Sequence, residues 1–202
     1  MIIDMHVHSK YSHDSTAEPE EIIRKCLNLG IGGVCFTEHH SYLSSSLVEK
    51  LPDFGVKVFR GAEVATNKGH ILIYGVEDDS WNMWDGIKGN FMDAQTLIDD
   101  VNYQGGACVL AHPFRKNHDF DELIKLKGLV AIESYNGKNS STTRIVRNKK
   151  LIKKMGLNNI GGSDAHVVEN VGSCYTVFEK EIVTISDLVN ELKRGRYYGN
   201  SN

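Results

Sequence analysis

Short apolar runs alternate with amphipathic stretches along the whole of this chain. An apolar run bounded by Gly, Pro, Asn or Asp is typical of a buried strand. Eight such runs predict strands: IIDMHVH (2–8), GGVCFTEHH (32–40), VKVFRGAEV (56–64), HILIYGV (70–76), ACVLAHP (107–113), LVAIESYN (129–136), NNIGGSDAH (158–166) and CYTVFE (174–179).

The stretches between these runs carry the helical period. The first, PEEIIRKCLNL (19–29), has a proline and two acids in its first turn and Gly30 just beyond its end, which are the start and stop signals of a helix. Similar periodicity predicts further helices at 45–51, 93–104, 119–127, 140–155 and 185–195. The segment 81–92 is the least regular part of the chain.

Strands that alternate with helices imply a parallel sheet with the helices outside it. About seven strand–helix units fit into this length, which favours a closed (β/α)7 barrel over an open sheet. Periodicity by itself leaves closure undecided. With 202 residues the simplest organisation is a single domain that covers positions 1–202.

Composition narrows the class of protein. Hydrophobic residues make up 41% and charged residues 24%, and a net charge of -3 argues against a protein that coats nucleic acid through bulk charge. The four cysteines form no CxxC pair and lie in apolar stretches, so we expect free buried thiols in a reducing compartment. No leader peptide precedes the first strand, and no apolar stretch approaches the roughly 20 residues of a membrane span. We therefore expect a cytoplasmic protein that does not enter a membrane.

Potential metal ligands stand at the ends of the predicted strands. In chain order they are His6, His8, Glu38, His39, His40, Glu63, His70, His112, Glu133, Asp164 and His166. In parallel β/α folds the active site lies at the carboxyl ends of the strands, so ligands that are distant in sequence would converge there. His6 and His8 are two residues apart and point to one face of a strand. The same holds for Asp164 and His166 if their strand stays extended.

These residue types indicate a hydrolytic metal centre. Imidazole nitrogen and carboxylate oxygen are ligands for Zn, Mn or Fe, and a multinuclear centre with such ligands activates water. Each residue also has an ordinary alternative: histidine pairs occur by chance on surface strands, Glu63 could sit in a salt bridge, and His112 could bond a loop carbonyl. Seven of the nine histidines, however, fall at strand ends or in the adjoining loops, which chance does not explain.

An ordered set of motifs resembles the PHP (polymerase and histidinol phosphatase) superfamily. The motifs are DMHVHSKYSHDS, FTEHH, GAEV, GHILIYG, LAHP, IESYN and GGSDAH, and the closing LKRGRYYGN is similar to the usual end of such domains. The resemblance implies a distorted seven-stranded β/α barrel. It also implies a site that binds two to three divalent metal ions, Zn, Mn or Fe, and hydrolyses phosphoester bonds.

The resemblance further implies a ligand set. The first metal would take His6, His8, Glu63 and Asp164. The second would share Glu63 and add His70 and His112. The third would take His39, His166 and one residue of the first loop, for which Asp14 fits the family spacing best and His13 is the alternative.

Several other residues would support such a site. Glu38 stands where the family often has Asp, and with Glu133 and Asn136 it would line the pocket or orient a ligand. Arg115, after the AHP motif, and Arg144, on the basic helix, are the candidates for phosphate binding, since the fork of an arginine fits a phosphate. Arg147 shares a helix face with Arg144, but a solvated basic face is its ordinary interpretation.

These residues predict a phosphatase that hydrolyses a small phosphomonoester with metal-activated hydroxide at a trinuclear site. A phosphodiesterase or exonuclease, with nucleic acid as substrate, is the second hypothesis, and its candidates for base stacking are Tyr11, Tyr135, Trp81 and Trp84. A non-catalytic metal-binding scaffold module is the third. The sequence carries no signal for the substrate's identity, the native metal, the pathway or the oligomeric state.

Overall fold

The computed structural model describes residues 1–77, 79, 91–116, 118–138 and 142–202, so Trp81, Trp84 and the predicted start of the basic helix at Ser140 lie outside the described residues. The strands are β1 (Ile2–Val7), β2 (Gly33–His39), β3 (Lys57–Thr66), β4 (Gly69–Tyr74), β5 (Ala107–Leu110), β6 (Leu129–Asn136), β7 (Asn158–Gly162), β8 (Cys174–Phe178) and β9 (Tyr197–Ser201). The α-helices are α1 (Pro19–Asn28), α2 (Ala94–Tyr103), α3 (Phe120–Leu123), α4 (Thr142–Met155) and α5 (Ile185–Arg194).

The strands form one sheet in the order β7-β6-β5-β4-β3-β2-β1-β8-β9. Neighbours among β1 to β3 and among β5 to β7 are parallel, but β4 is antiparallel to both β3 and β5. The expectation of an entirely parallel sheet is therefore wrong at β4. The reason is local, because the short turn between Thr66 and Gly69 joins β3 to β4 as a hairpin and leaves no room for a helix.

The sheet closes on itself where the chain leaves β7. The Asp164 amide donates to the His6 carbonyl at 2.7 Å, and the His8 amide donates to the Ala165 carbonyl at 2.9 Å. These bonds join the end of β7 to the end of β1 and nearly close the sheet into a distorted β/α barrel, as the sequence predicts, although the sheet has nine strands rather than seven. The β8–β9 hairpin fills the gap between β1 and β7 at the opposite end of the barrel, where β8 pairs with Ile2 and Ile3. The β8 strand was predicted, and β9 was not.

Apolar side chains fill both the barrel and the layer between barrel and helices. Met5, Leu72 and Val109 lie inside the barrel, and Leu97 and Ile98 of α2 pack against its outer face. Burying one such side chain stabilises the fold by about 1.5–3 kcal/mol. The four cysteines are free and buried, as expected. None of the described helices combines the length and the apolar character that a membrane span requires.

The predicted helices agree closely with the observed ones where a capping residue marks the start of the helix. Asp93 accepts a hydrogen bond from the Thr96 amide at the start of α2, and Thr184 forms a capping box at the start of α5. Two predicted helices differ. Residues Ser44–Lys50 form a 3-10 helix, since serine side chains there compete for backbone groups, and α3 ends at Leu123, after which Leu126 turns into the core.

The carboxylate of Glu191 joins α5 to the segments on either side of it. It accepts hydrogen bonds from Lys180 at 2.9 Å, Arg194 at 2.9 Å and Arg196 at 2.8 Å, while its own side chain is only 2% exposed. Burial raises the pKa of Glu191, but these three cations outweigh burial and hold that pKa at about 2.

We predict that Glu191→Gln lowers the stability of the fold at neutral pH. A depressed carboxyl pKa stabilises the folded state above the unfolded value of 4.5, and this contribution is lost as the pH falls from 4.5 to about 2. The difference in urea midpoint between the parent and the variant, followed by far-UV circular dichroism, should therefore shrink across this interval. Glu181→Gln, at an exposed acid nearby, is the control, and a difference that persists at pH 2 would contradict the assignment.

Candidate metal centre

A buried carboxylate, Glu63 on β3, lies at the middle of the histidine cluster. Its Oε1 atom is 2.7 Å from His70 Nδ1 and 2.8 Å from His112 Nε2. His70 stands at the amino end of β4, and the antiparallel direction of β4 brings this end to the carboxyl ends of β3 and β5. Glu63, His70 and His112 place their ligand atoms within 4.8 Å of one another and could hold one metal ion.

The second oxygen of Glu63 faces a different group of side chains. Oε2 is 3.4 Å from His6 Nε2 and 3.2 Å from His8 Nε2, and Asp164 Oδ1 lies 3.7 and 3.5 Å from the same two nitrogens. These four residues are all buried, and their ligand atoms could hold a second ion. Glu63 therefore presents one oxygen to each of two adjacent donor groups, which is the position of a bridging carboxylate.

The contacts of His6 and His8 indicate that the second donor group fits a bound cation. His6 Nδ1 lies 2.8 Å from Glu133 Oε1, and because an ionised carboxylate only accepts, His6 donates from Nδ1, so Nε2 is the nitrogen that a proton or a metal ion can occupy. His6 Nε2 faces His8 Nε2 at 3.0 Å. Two ligand nitrogens of a tetrahedral zinc ion stand about 3.3 Å apart, given Zn–N bonds of about 2.05 Å. The buried Asp164 Oδ1, beside them, has no hydrogen-bond partner, so the group fits a cation.

Glu133 orients this cluster through hydrogen bonds. Its Oε1 accepts from His6, and its Oε2 accepts from the His112 amide at 3.0 Å and from Asn136 Nδ2 at 2.9 Å. Glu133 lies near His6 and His112 as a third possible donor group, but its oxygens are already occupied by these donors. The geometry therefore supports an orienting role for Glu133 and Asn136.

A further group lies at the mouth of the site. The ring of His39 stacks on that of His8, the ring of His166 lies tilted with its centre 4.3 Å from that of His8, and the three could hold an ion together. Asp14 Oδ2 completes this group, at 3.2 Å from His39 Nε2 and 3.1 Å from His166 Nε2. The His13 ring is 5.4 Å from the ring of His39. Of the two loop residues proposed as ligands, Asp14 is thus the one placed between both imidazoles.

The charges of the cluster favour bound cations. Burial raises the pKa of Glu63, but the imidazoles, His6 and His70 first among them, lower it well below its usual range. Burial lowers the pKa of His39 to about 4, so this ring is neutral and can act as a ligand. Burial also lowers the pKa of His6, yet the carboxylates of Glu133, Asp164 and Glu63 raise it well above 6.5. The space around His6 Nε2 therefore attracts positive charge.

The backbone is held in unusual conformations at two of these residues. His112 has φ of 27° and Asp164 has φ of 53°, a region that residues with a Cβ seldom occupy. The strand β7 ends at Gly162, so the extended strand on which Asp164 and His166 would share a face is not present. A Cβ on Gly162 would lie 2.4 Å from His6 Cβ, which explains why glycine precedes this turn.

Three cations lie around the mouth. Arg115 donates to Asp164 Oδ2 and, at 2.7 Å, to Asn136 Oδ1, and its buried Nε has no partner. Arg144 reaches the Arg115 carbonyl at 3.5 Å. Lys138, in the loop after β6, was missed from the sequence: its Nζ is 2.9 Å from His166 Nδ1 and 3.8 Å from Asp164 Oδ1, and the side chain is 44% exposed. In the sequence, the signal that could have identified Lys138 was its position just beyond the end of a predicted strand, which it shares with Arg115.

Two serines of the first loop were also missed. Ser9 and Ser12 donate their hydroxyl groups to the buried Glu38, each at 2.5 Å. Ser12 also contacts His8 Nδ1 at 3.2 Å. Ser12 therefore separates Glu38 from the candidate ligand His8, and Glu38 does not contact that ring directly. In the sequence, the spacing of the two serines in HSKYS was the signal that could have indicated the contact.

Sequence comparisons identify a matching family model and proteins with similar sequences. A family model described as PHP-associated matches residues 147–197. An uncharacterised protein of Methanocaldococcus jannaschii is 30% identical over 125 residues, which are 56% of this chain and 68% of the relative. A Thermotoga maritima protein described as a probable histidinol-phosphatase is 36% identical over 86 residues, and the match spans 43% of this chain and only 32% of that protein.

Solved structures share the fold. A two-domain protein from Bacteroides vulgatus, described as containing a PHP-like metal-dependent phosphoesterase, superposes with a TM-score of 0.76 over 100% of this chain and 65% of its own, at 18% identity. PsfC from Pseudomonas syringae superposes with a TM-score of 0.74 over 100% of this chain and 91% of its own, at 21% identity. At these identities the likeness concerns the barrel itself.

We predict that Asp14→Asn and His13→Gln have different effects on metal content. If Asp14 completes the group at the mouth, Asp14→Asn lowers the metal content by about one ion per chain, because an amide is a much weaker ligand than a carboxylate. His13→Gln should retain the parent's content. Mass spectrometry on protein purified without added metal or chelator gives the measurement. Loss of the ion in His13→Gln but not in Asp14→Asn would reverse the assignment.

Proposed function

Because the chain belongs to the PHP superfamily of metal-dependent phosphoesterases, we propose that it hydrolyses a small phosphomonoester at the histidine cluster, with two to three divalent ions of Zn, Mn or Fe. The observation that carries this proposal is the sharing of Glu63 and His8 between adjacent donor groups. Shared ligands hold neighbouring ions close together, as a single phosphate group requires.

Each part of the cluster has a distinct role in this proposal. His6, His8, Glu63 and Asp164 would hold the first ion, Glu63, His70 and His112 the second, and His39, His166 and Asp14 the third. Bound ions would neutralise the phosphate and supply activated water. Glu133 keeps His6 in the tautomer that leaves Nε2 available, and Asn136 ties Glu133 to Asp164 at 2.9 and 3.3 Å.

The cations at the mouth support recognition of a phosphate. Lys138 stands beside His166, with about half of its side chain accessible to a substrate. Arg115 is held by Asp164 and Asn136, and its unpartnered Nε could donate to a phosphate oxygen. Arg144 adds charge behind Arg115. An anionic group at the mouth would therefore meet cations on the β5–β6 side of the site.

The position of Tyr135 does not support a nucleic-acid site at the candidate metal ligands. Among the described residues, Tyr135 lines a groove of about 170 Å³ with Lys149 and Lys153, on the outer face of the barrel. This groove contains none of the candidate metal ligands, so a strand bound there would not reach them. The T. maritima relative, a probable histidinol-phosphatase, agrees with a small substrate.

A substrate panel tests the proposal directly. We expect purified protein with bound metal to hydrolyse phosphomonoesters and to leave phosphodiesters and short oligonucleotides largely intact. His6→Ala with His8→Ala should lower the metal content and abolish turnover, while the far-UV spectrum stays unchanged. Diester turnover would favour the nuclease hypothesis, and bound metal without any turnover would favour the non-catalytic module.

We predict that Lys138→Met raises KM for a phosphomonoester by about tenfold or more, because a charge-assisted hydrogen bond to phosphate is lost. Metal content should stay at the parent value, since Lys138 is a cation and binds no metal at neutral pH. Lys127→Met, at an exposed lysine of the α3–β6 connection, is the matched control. An unchanged KM in Lys138→Met would remove this residue from phosphate recognition.

A further inference from the structure

A buried chain of hydrogen bonds runs from Glu38 through Ser12 to His8. Ser12 Oγ lies 2.5 Å from Glu38 Oε2, 3.2 Å from His8 Nδ1 and 3.1 Å from the amide nitrogen of His39. Glu38, Ser12 and His8 are all buried, with exposures of 0 to 4%. The hydroxyl of Ser12 thus contacts three groups at a position that bulk water does not reach.

The direction of each bond in this chain follows from what each group can do. A carboxylate only accepts, so the single proton of Ser12 points to Glu38. A backbone amide only donates, so His39 N–H uses one lone pair of Ser12 Oγ. The remaining lone pair of Ser12 faces His8 Nδ1, and only a protonated Nδ1 can bond to it. The opposite tautomer would set two lone pairs against each other.

We infer that Glu38, acting through the Ser12 hydroxyl, fixes His8 as the tautomer protonated on Nδ1, which leaves the Nε2 lone pair for a metal ion. Both residues are positioning residues, since neither reaches the place of the ion. The inference rests on the metal centre of the proposed function. In that centre His8 Nε2 faces Glu63 at 3.2 Å, Asp164 at 3.5 Å and His6 Nε2 at 3.0 Å. These groups accept a proton from Nε2 when no ion is bound, so the Ser12 contact and the bound ion together select the tautomer protonated on Nδ1.

A second serine bonds the other oxygen of this carboxylate. Ser9 donates to Glu38 Oε1 from its hydroxyl at 2.5 Å and from its backbone amide at 3.2 Å. In Glu38→Gln these two donors would keep the amide oxygen at the Oε1 position and turn its NH2 group toward Ser12. Ser12 would then accept from Gln and be free to donate to His8 Nδ1. The proton of His8 would move to Nε2.

Four variants test the inference: Glu38→Gln, Ser12→Ala, Ser12→Thr and Ser9→Ala. Long-range 1H–15N spectra of histidine-labelled, zinc-loaded protein report whether His8 Nδ1 carries a proton and whether that proton is held in a hydrogen bond. Competition with a chelator gives the zinc affinity of the same samples, and far-UV circular dichroism verifies the fold. Ser9→Ala is the matched control, because it removes a hydroxyl bonded to Glu38 that does not contact His8.

In the zinc-loaded parent, Ser12→Thr and Ser9→Ala, the His8 Nδ1 proton should be observed in a hydrogen bond. Glu38→Gln and Ser12→Ala should lose this hydrogen-bonded signal and should bind zinc about 10- to 100-fold more weakly. A folded Glu38→Gln variant with an unchanged Nδ1 proton signal and unchanged zinc affinity would overturn the inference. Both measurements are made without substrate, so these losses in a protein whose parent shows no phosphoester turnover would overturn the proposed function and uphold this inference.

Discussion

The burial of the Glu63 carboxylate among imidazoles is the interaction on which the rest of the site depends. A buried carboxylate without partners would cost several kcal/mol, and here five histidines lie within 3.4 Å of its two oxygens: His6, His8, His39, His70 and His112. The imidazoles in turn are kept in order by Glu133 and by the Ser12–Glu38 pair. Removing Glu63 would leave several donors facing one another, so the cluster and its support form one electrostatic unit.

Two irregular features of the barrel, the reversed strand β4 and the early end of β7, bring the side chains around Glu63 together. In an all-parallel barrel His70, at the start of its strand, would lie at the far end from Glu63, and the reversal of β4 brings the two side chains to 2.7 Å. At β7 the strand stops at Gly162, the only kind of residue that fits against His6, and the next turn places Asp164 in a left-handed conformation. Such a conformation costs about 1–3 kcal/mol, and the bonds that close β7 onto β1 hold it in place.

The sequence predicts the parts of this molecule that depend on local patterns. Apolar runs and caps locate most strands and helices, and strand ends locate the candidate ligands, because both signals lie within a few neighbouring residues. The direction of β4 depends on a four-residue turn that resembles an ordinary loop. Lys138 and Ser12 belong to residue types that are common in loops, and only the folded chain shows what they contact. Asp14 and His13 are neighbours in sequence, so spacing alone could not separate them as the geometry does.

The distribution of charge around the site explains how one cavity can attract both metal ions and phosphate. Among the described residues, the carboxylates of Asp14, Glu38, Glu63, Glu133 and Asp164 cluster around the imidazoles, while the permanent cations Arg115 and Lys138 stand at the mouth. The excess of negative charge in the interior can be balanced by divalent ions but not by an anionic substrate. Once ions are bound, the interior no longer repels phosphate, and the cations at the mouth lie on its path. If these carboxylates hold the ions of the proposed function, metal binding would therefore precede substrate binding, since the unneutralised carboxylates would exclude a phosphate.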